Sequence, residues 1–498
     1  MKIKNFSLAF LIASIFIYFF SVNVADPDIW GHLKFGQDIF TTLSLPRHDI
    51  YSYSSYGLNW FDHEWLSELI FYSIFKFGGS AGLVLFKYFM GTVVTFLVCK
   101  SVFINTKSKY LRIIFISLSL PLINYGFAIR PQIFTYVFFT LLLFLIEAYE
   151  NNQRPLELYF IPLIFLFWVN LHGGFIAGLA LFLFYYLFKL FSGKQTKLLP
   201  IILLFSIMAT FINPYGARIW DYILMAVSLP RPYITEWIRV DFSTEYLNYF
   251  ILVLVSIFGL VFSKIRRPVY EIFFLLAAFY FSFQHNRHVT LFAIVVLMYL
   301  PKHVSSFLGN WSLRFEKRYS QGILDVCFIC LAAYLILVTF NRQKNILKVE
   351  VSSDMYPVEA VSFLKVNNIS GNIFCDFNWA QMCISELSPK NKVFLDGRYE
   401  TVYSDNLIRD YFDILFNRKD YKSFLTKFPE TDIILLNRNK SLANALSSDK
   451  NWVEVYLTPL AQVFLSKNLN NKKYLEDFKN SRLLYPKVQD RYYLDNFR

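Results

Sequence analysis

The chain has 498 residues, of which 55% are hydrophobic, 20% aromatic and only 17% charged. Soluble globular proteins contain about 25% charged residues, so this composition excludes an ordinary soluble chain, and the scarcity of Gly and Pro excludes collagen-like and low-complexity chains. Lys and Arg exceed Asp and Glu by 13. Membrane proteins accumulate basic residues in their cytoplasmic loops for a reason unrelated to nucleic acid. The positive charge is therefore not evidence for a nucleic-acid partner, and none is expected.

Eleven apolar segments predict membrane-spanning helices, since a helix needs about 20 apolar residues to cross a bilayer. They cover approximately residues 7–25, 79–99, 113–129, 132–149, 157–171, 174–191, 198–213, 248–263, 269–284, 289–301 and 322–340. Basic residues fall in every second loop, for example Lys100 with Lys107 and Lys264 with Arg266. This positive-inside pattern places the N-terminus in the cytoplasm, and an odd number of spans then places the C-terminal region outside.

The sequence changes character after Asn341, where charge rises and the apolar runs shorten to strand length. We predict a helix at Tyr356–Val366 and short strands at Asn372–Phe377, Lys392–Leu395, Thr431–Leu436, Val453–Leu457 and Gln462–Leu465. Roughly the last 30 residues are polar and are expected to pack loosely. Cys375 and Cys383 both fall in this region, and spacing alone leaves their pairing open.

The predicted fold is therefore mainly α, in two parts. Residues 1–341 form a polytopic membrane helical domain of about 11 transmembrane helices, with an outer loop at 26–77. That loop contains apolar and aromatic residues at helical spacing after Trp30 and again after Trp60, which predicts amphipathic helices at the membrane interface. Residues 342–498 form a C-terminal extracytoplasmic α/β domain.

Ionisable residues gather on the predicted outer face. Six of the seven histidines map there, namely His32, His48, His63, His172, His285 and His288. Ionisable groups at membrane depth are costly and are usually kept where a cavity or site needs them. This asymmetry predicts one extracytoplasmic site.

The outer loop opens with Asp26-Pro27-Asp28-Ile29-Trp30-Gly31-His32, directly after the first span. Pro27 restricts the backbone, and a helix is predicted to begin here with Asp26 or Asp28 near its N-cap. One interpretation is a charged cap at the end of a span, and the other is a catalytic base or a metal-binding pair. We assign Asp28 and Asp26 as catalytic candidates and His32 as a substrate-binding candidate.

A second acidic and imidazole cluster, Asp62-His63-Glu64, lies later in the same loop. By itself this pattern is typical of a solvated helix start. Its place in the same outer loop makes His63 and Glu64 substrate-binding candidates.

Two cationic residues are candidate phosphate ligands. Arg130 stands in Arg130-Pro131-Gln132 at an outer span junction, and a guanidinium can bind phosphate through two parallel hydrogen bonds. Lys87 lies within the second predicted span. The alternative for both is snorkelling to the headgroups. Gln132 is included with them as a substrate-binding candidate.

Other outer turns add polar groups. Asn170-Leu171-His172-Gly173-Gly174 is either turn geometry alone or a place where His172 approaches a ligand. Glu236 lies in the next long outer loop, and Gln284–His288 packs three ionisable groups into one short turn. The candidates from these segments are Asn170, His172, Glu236, His285, Arg287 and His288.

The motif set resembles the GT-C superfamily of polytopic glycosyltransferases. An odd number of spans, an acidic motif in the first outer loop and an outer C-terminal domain all match. The chain also looks like a group of uncharacterised bacterial membrane proteins that share five motifs, here at Asp26–His32, Arg130–Gln132, Asn170–Gly173, Asn213–Gly216 and Asp396–Arg398. Taken alone, Asp396-Gly397-Arg398 is first of all a strand end with an ion pair, and contact with the acceptor or the membrane site is the alternative.

The resemblance implies a multi-pass protein of the bacterial cytoplasmic (inner) membrane. It would move a sugar from a polyprenyl-phosphate-linked donor to an acceptor glycan, lipid or protein on the outer face, with inversion at the anomeric carbon. The acidic loop residue would be Asp26 or Asp28, and a divalent metal (Mg or Mn) joins it in some members. No other cofactor is expected; the bilayer, the lipid-linked sugar and the acceptor are the expected partners, without nucleic acid.

Two other functions are compatible with a polytopic chain. The main alternative is a transporter or flippase of a lipid-linked or anionic solute, which predicts inverted repeats and ionisable groups near the middle of the bilayer. An envelope assembly or sensory protein would need far fewer spans. Within the transferases, an O-antigen ligase or polymerase is the nearest rival, but its large late outer loop has only a short counterpart here.

Overall fold

The computed structural model describes residues 3–152, 155–193, 197–318, 321–489 and 491–498. The described residues pack as two compact units. The first contains Met1–Asn23 and Val84–Leu347, and the second contains Val24–Leu83 and Lys348–Arg498. Each unit therefore draws on two separate stretches of the chain.

The helices up to Arg342 follow the apolar pattern of the sequence. They are α1 (Ile3–Phe20), α2 (Ile29–Thr42), α3 (Trp65–Asn105), α4 (Lys109–Tyr125), α5 (Gln132–Asn152), α6 (Ile161–Leu171), α7 (Phe175–Phe191), α8 (Leu198–Ala209), α9 (Arg218–Ser228), α10 (Leu247–Val261), α11 (Val269–Gln284), α12 (Val289–Arg318) and α13 (Gln321–Arg342). Short 3₁₀ helices lie at Pro155–Phe160, Thr235–Trp237, Thr244–Tyr246 and Asn286–His288.

Each of the eleven predicted apolar segments is helical. Five described helices are long and apolar enough to cross a membrane, at Trp65–Asn105, Gln132–Asn152, Thr244–Val261, Asn286–Arg314 and Gly322–Arg342. Five shorter apolar helices accompany them, at Phe6–Phe20, Leu156–Leu171, Phe175–Phe191, Leu198–Ala209 and Val269–Gln284. The chain is therefore a multi-pass membrane protein, while its orientation stays a prediction.

Helix α3 is interrupted at Gly79. Its backbone there has φ 57° and ψ −154°, a conformation that essentially only glycine adopts. Immediately after the break, the Ser80 N–H donates to Asp495 Oδ1 at 2.7 Å, which satisfies a donor at the start of the new helical segment. The predicted span beginning at 79 thus coincides with the break.

The C-terminal region is an α/β fold, as predicted. Its strands are β1 (Glu350–Val351), β2 (Gly371–Cys375), β3 (Asn391–Val393), β4 (Thr431–Asn437), β5 (Trp452–Leu457), β6 (Ala461–Ser466) and β7 (Tyr492–Tyr493). Its helices are α14 (Val358–Val366), α15 (Ala380–Leu387), α16 (Asp405–Leu415), α17 (Tyr421–Lys427), α18 (Ser441–Ser447) and α19 (Lys472–Lys479), and further 3₁₀ turns lie at Phe377–Trp379, Tyr399–Thr401 and Leu494–Phe497. All five predicted strands are present within one or two residues.

The main sheet has the strand order β3-β2-β4-β6-β5. Strand β2 pairs in parallel with β3 and β4, whereas β6 is antiparallel to β4 and β5. Asp376 follows β2, and Asp396 lies shortly after β3, so both acids lie beyond the carboxyl ends of parallel strands. Ligands of open α/β sheets commonly bind at this edge.

The last 30 residues are packed only in part: residues 492–497 pack on the second unit, whereas residues 481–489 are mostly exposed, as expected for loose packing. Strand β7 pairs antiparallel with β1, and the Leu494 side chain is buried. The Phe497 ring meets the Trp30 ring edge to face at a centroid distance of 4.9 Å. Tyr492 and Leu494 are buried, whereas Leu484, Tyr485 and Val488 earlier in the segment are exposed.

The loop that opens at Val24 is tied into the second unit along its length. Val24 forms a bridge with Glu350, and Ser52 forms one with Val393. The Ala25 N–H donates to the Glu350 carbonyl at 2.7 Å. These backbone contacts fix the chain immediately before Asp26.

Candidate active site

Asp26 and Asp28 lie at the entry of α2, as the sequence predicts. Asp28 occupies the N-cap position, but its side chain makes no capping hydrogen bond to the helix. The Asp26 Oδ1 atom instead accepts from the Asp28 N–H at 3.0 Å. Both side chains are half-buried. The Asp28 carboxylate is therefore positioned by something other than its own helix.

The neighbourhood of Asp28 contains the late Asp396-Gly397-Arg398 motif. A Cβ atom placed on Gly397 would lie 2.7 Å from Asp28 Oδ1, which is closer than real Cβ contacts. Only a glycine at this position leaves room for the carboxylate. Two motifs far apart in the sequence thus meet at one point of the second unit.

Arg398 holds the same turn in place through buried ion pairs. Its guanidinium donates to both carboxylate oxygens of Asp396, at 2.9 Å to Oδ1 and 2.7 Å to Oδ2. Its Nη1 atom lies 2.7 Å from Asp49 Oδ1 in the first loop. The Trp60 ring faces the guanidinium at 4.8 Å. The motif was interpreted either as a strand end with an ion pair or as a contact with the membrane site. Arg398 forms the ion pair, and Gly397 lies next to Asp28 of the candidate site.

His32 and the Asp62–Glu64 segment form a second acidic and imidazole cluster. The His32 Nδ1 atom lies 3.2 Å from Glu68 Oε1, and Asp62 is hydrogen-bonded to the same Glu68 side chain. His63 Nε2 lies 3.7 Å from Glu64 Oε1. Burial raises the pKa of Asp62 to about 6. Glu68 was not singled out by the sequence, because a glutamate in the first turn of a helix is common.

In the first unit, five of the predicted residues gather around Trp237. The five are Arg130, Glu236, His285, Arg287 and His288. Arg130 forms an ion pair with Glu236. The Arg287 guanidinium lies over the Trp237 ring at 4.7 Å, and the His285 Nδ1 atom lies 2.8 Å from the Trp237 carbonyl oxygen.

Arg231 joins this cluster and was not among the predicted site residues. Its guanidinium lies 4.3 Å from the Trp237 ring centroid. The Tyr136 hydroxyl is within electrostatic range of Arg287, Glu236 and Arg130. Stacking on the ring fixes the plane of the Arg231 guanidinium, whose Nη1 atom also donates to the Leu229 carbonyl at 3.4 Å. The cluster is therefore a cationic and aromatic surface suited to a phosphate group.

His172 has a defined proton arrangement. The Gly174 N–H donates to His172 Nδ1 at 2.9 Å, and the Thr135 hydroxyl lies 2.8 Å from the same nitrogen. Because Trp168 Nε1 donates to that hydroxyl, Thr135 can donate its own proton to the imidazole. The neutral His172 ring then carries its proton on Nε2.

Two other candidates make structural contacts in the first unit. The Asn170 amide donates to the Leu166 and Ile212 carbonyls, at 2.9 and 2.8 Å. The Gln132 amide donates to the Gly126 carbonyl at 3.2 Å. The contacts of Asn170 fit the turn interpretation of its segment. A substrate role for Asn170 or Gln132 stays a prediction.

Lys87 is buried and its ammonium group has three acceptors. It donates to the Phe20 carbonyl at 3.1 Å, the Val22 carbonyl at 2.8 Å and Asn23 Oδ1 at 2.9 Å. The first two lie at the C-terminal end of α1, where a positive charge is favourable. Capping the C-terminal end of α1 is therefore a third interpretation of Lys87, in addition to snorkelling and phosphate binding.

The resemblance implies a divalent metal at the acidic residues of the first outer loop. Over the described residues, no group of three or more His, Cys, Asp or Glu side chains is arranged to hold a metal ion. Asp26 and Asp28 do not acquire a third ligand of these types from the described part of the chain.

No family model matches the sequence, and no curated protein matches it. Solved structures of the oligosaccharyltransferase of Archaeoglobus fulgidus are similar to this chain. The apo form aligns with a TM-score of 0.60 at 10% identity, covering 86% of this chain and 69% of that one. The same archaeal enzyme, AglB, in complex with an inhibitory peptide and a dolichol-phosphate aligns with a TM-score of 0.57 at 10% identity, covering 87% and 69%. The chain thus shares the fold of these structures, which confirms the expected fold class of a polytopic helical domain with a C-terminal α/β region.

Proposed function

We propose that this chain is a membrane glycosyltransferase that uses a polyprenyl-phosphate-linked sugar donor and an extracytoplasmic acceptor. The observation that carries this proposal is the pair of half-buried carboxylates, Asp26 and Asp28, at the opening of the first long loop in a GT-C fold. The similar archaeal oligosaccharyltransferase is described in complex with a dolichol-phosphate and an inhibitory peptide. A lipid-linked donor also suits the outer face, which cytosolic nucleotide sugars do not reach.

The proposed reaction is a single displacement. The Asp28 carboxylate takes the proton of an acceptor hydroxyl while that oxygen attacks the anomeric carbon. The bond between the anomeric carbon and the phosphate oxygen breaks, and polyprenyl phosphate leaves with the electron pair. Attack from the side opposite the leaving group inverts the anomeric carbon, as in inverting glycosidases. The proton on Asp28 is then lost to solvent.

Arg287 and Arg130 are the proposed ligands of the leaving phosphate. Charge develops on that group in the transition state, and preorganised cationic groups stabilise it. The stacking of Arg287 and Arg231 on Trp237 supports this role, because the ring fixes the plane of each guanidinium. His172, with its proton on Nε2, is a further candidate donor.

The first test measures transfer by the full-length protein in nanodiscs. A panel of polyprenyl-phosphate monosaccharides serves as donor, and the polyprenyl phosphate released is quantified. Asp28→Asn should lower kcat by roughly 10²- to 10⁴-fold, the usual contribution of a general base. Asp354→Asn makes the same chemical change at an exposed position of the second unit and should retain activity.

The outcome of this experiment separates the competing functions. Full activity in both Asp28→Asn and Asp26→Asn would refute the base assignment. Movement of the donor across the bilayer without release of polyprenyl phosphate would favour the transport alternative, which neither the fold nor the similar structures support.

A further inference from the structure

Gln381 lies in α15, and no motif in the sequence marks it. Its side chain is buried, at 5% exposure. The Gly31 N–H, in the first turn of α2, donates to Gln381 Oε1 at 3.3 Å. The first N–H groups of a helix have no partner within the helix, so Gln381 satisfies a donor that α2 itself leaves open.

The other end of the same amide faces Gly397. A Cβ atom on Gly397 would lie 2.5 Å from Gln381 Nε2 and 2.7 Å from Asp28 Oδ1. The amide and the carboxylate therefore border one small space that has no room for a side chain at position 397. A Cβ atom on Gly31 would likewise overlap the Gln381 amide. Two glycines thus make room for one glutamine beside Asp28.

We propose that Gln381 is the positioning residue of Asp28, a role whose catalytic consequence rests on the proposed function. Its amide ties the first turn of α2 to α15 and holds the Asp28 carboxylate against the Gly397 turn. A neutral amide suits this place, because a second negative charge would raise the proton affinity of the carboxylate. The Asp26 carboxylate accepts from the Asp28 backbone N–H, while Asp396 and Arg398 of the neighbouring turn pair with each other.

Gln381→Glu tests this role, because it keeps the shape of the side chain and adds one negative charge. The full-length protein in nanodiscs is treated with a water-soluble carbodiimide and glycine ethyl ester at a series of pH values. Mass spectrometry then gives the labelling of Asp28 at each pH. We expect the midpoint pH of Asp28 labelling to rise by about one unit, the effect of a like charge nearby.

Gln462→Glu is the matched control. Gln462 lies on β6 in the same unit and donates to Glu454 Oε2 at 2.9 Å, so the variant adds the same charge beside another carboxylate. Its Asp28 midpoint should equal that of the wild type. In the donor-release assay, Gln381→Glu should lower kcat with little change in KM, and the acidic limb of its pH–rate profile should move to higher pH.

Gly397→Ala provides a second test that adds no charge. The new methyl group must displace either the amide or the carboxylate, so the rate of Asp28 labelling at fixed pH should change several-fold. Unchanged labelling of Asp28 in both Gln381→Glu and Gly397→Ala would overturn the proposal. A shifted midpoint in a protein that releases no polyprenyl phosphate from any donor would support the positioning role and overturn the proposed function alone.

Discussion

Burial sets the preferred charge state of single side chains in the second unit, and Asp62 is the clearest example. The residue is 3% exposed. Burial raises the pKa of its carboxyl to about 6, although hydrogen bonds from Glu68 and the Glu64 backbone oppose the shift. At neutral pH the Asp62 carboxyl is therefore mostly ionised, although its buried surroundings favour the protonated form, and this mismatch lowers the stability of the folded state.

We therefore predict that Asp62→Asn stabilises the protein at pH 8 more than at pH 5. An unfolded Asp has a pKa of about 3.9. The folded state holds the proton more tightly, so the stabilisation from Asp62 is complete below about pH 4 and is lost as the pH rises through about 6. Thermal unfolding followed by intrinsic fluorescence measures the difference. A larger gain at pH 5 than at pH 8 would contradict the assignment.

The residues of the candidate site were only partly predictable from sequence. Asp28, Arg287 and His285 stood out because ionisable groups in a membrane protein need a reason to be there. Gln381 gave no signal, because a neutral amide in a short helix is ordinary. Its importance depends on Gly31 and Gly397, whose contacts with it exist only in the folded chain.

At the scale of elements, hydrophobic periodicity predicted the helices and strands well. The break at Gly79 is a finer case. The sequence predicts a loop helix that ends before residue 79 and a span that begins there, and the non-helical Gly79 backbone agrees with this boundary. Lys87 was less predictable, since the three acceptors of its ammonium group come from the last residue of α1 and from Val22 and Asn23, which follow shortly after it.

Gly79→Ala should destabilise the protein by roughly 1–3 kcal/mol, because a Cβ atom makes this backbone conformation strained. The added atom would also meet Asp495 Oδ1, the acceptor of the Ser80 N–H. Gly78→Ala is the matched control, since a Cβ atom there meets nothing within 4 Å. Thermal midpoints of the two variants in detergent give the comparison. Equal midpoints would show that the break does not need glycine.

At the scale of the whole molecule, Arg398 joins distant parts of the second unit. Arg398→Leu would leave Asp49 and Asp396 buried without their cation, and both are 0% exposed. Removing one partner of a buried ion pair typically costs about 3–5 kcal/mol. We expect a large drop in thermal midpoint and rapid proteolysis within residues 43–64.

Arg409→Leu is the control for this prediction. Arg409 pairs with Asp405 at an exposed site on α16. Exposed pairs of this kind contribute less than about 1 kcal/mol. If Arg398→Leu and Arg409→Leu have the same thermal midpoint, the buried ion pairs of Arg398 do not stabilise the loop that contains Asp49.

The second unit is assembled from two segments that are far apart in the sequence, and this has a consequence for its biosynthesis. Residues 24–83 leave the ribosome early, whereas Gln381, Gly397 and Phe497 are made only after residues 84–347. Asp28 is therefore synthesised long before Gln381 and Gly397, the residues that surround its carboxylate in the folded chain. Under the proposed function, an interrupted nascent chain would hold the candidate base without the surroundings that orient it, so we expect catalytic competence only after residues 381–397 have been made.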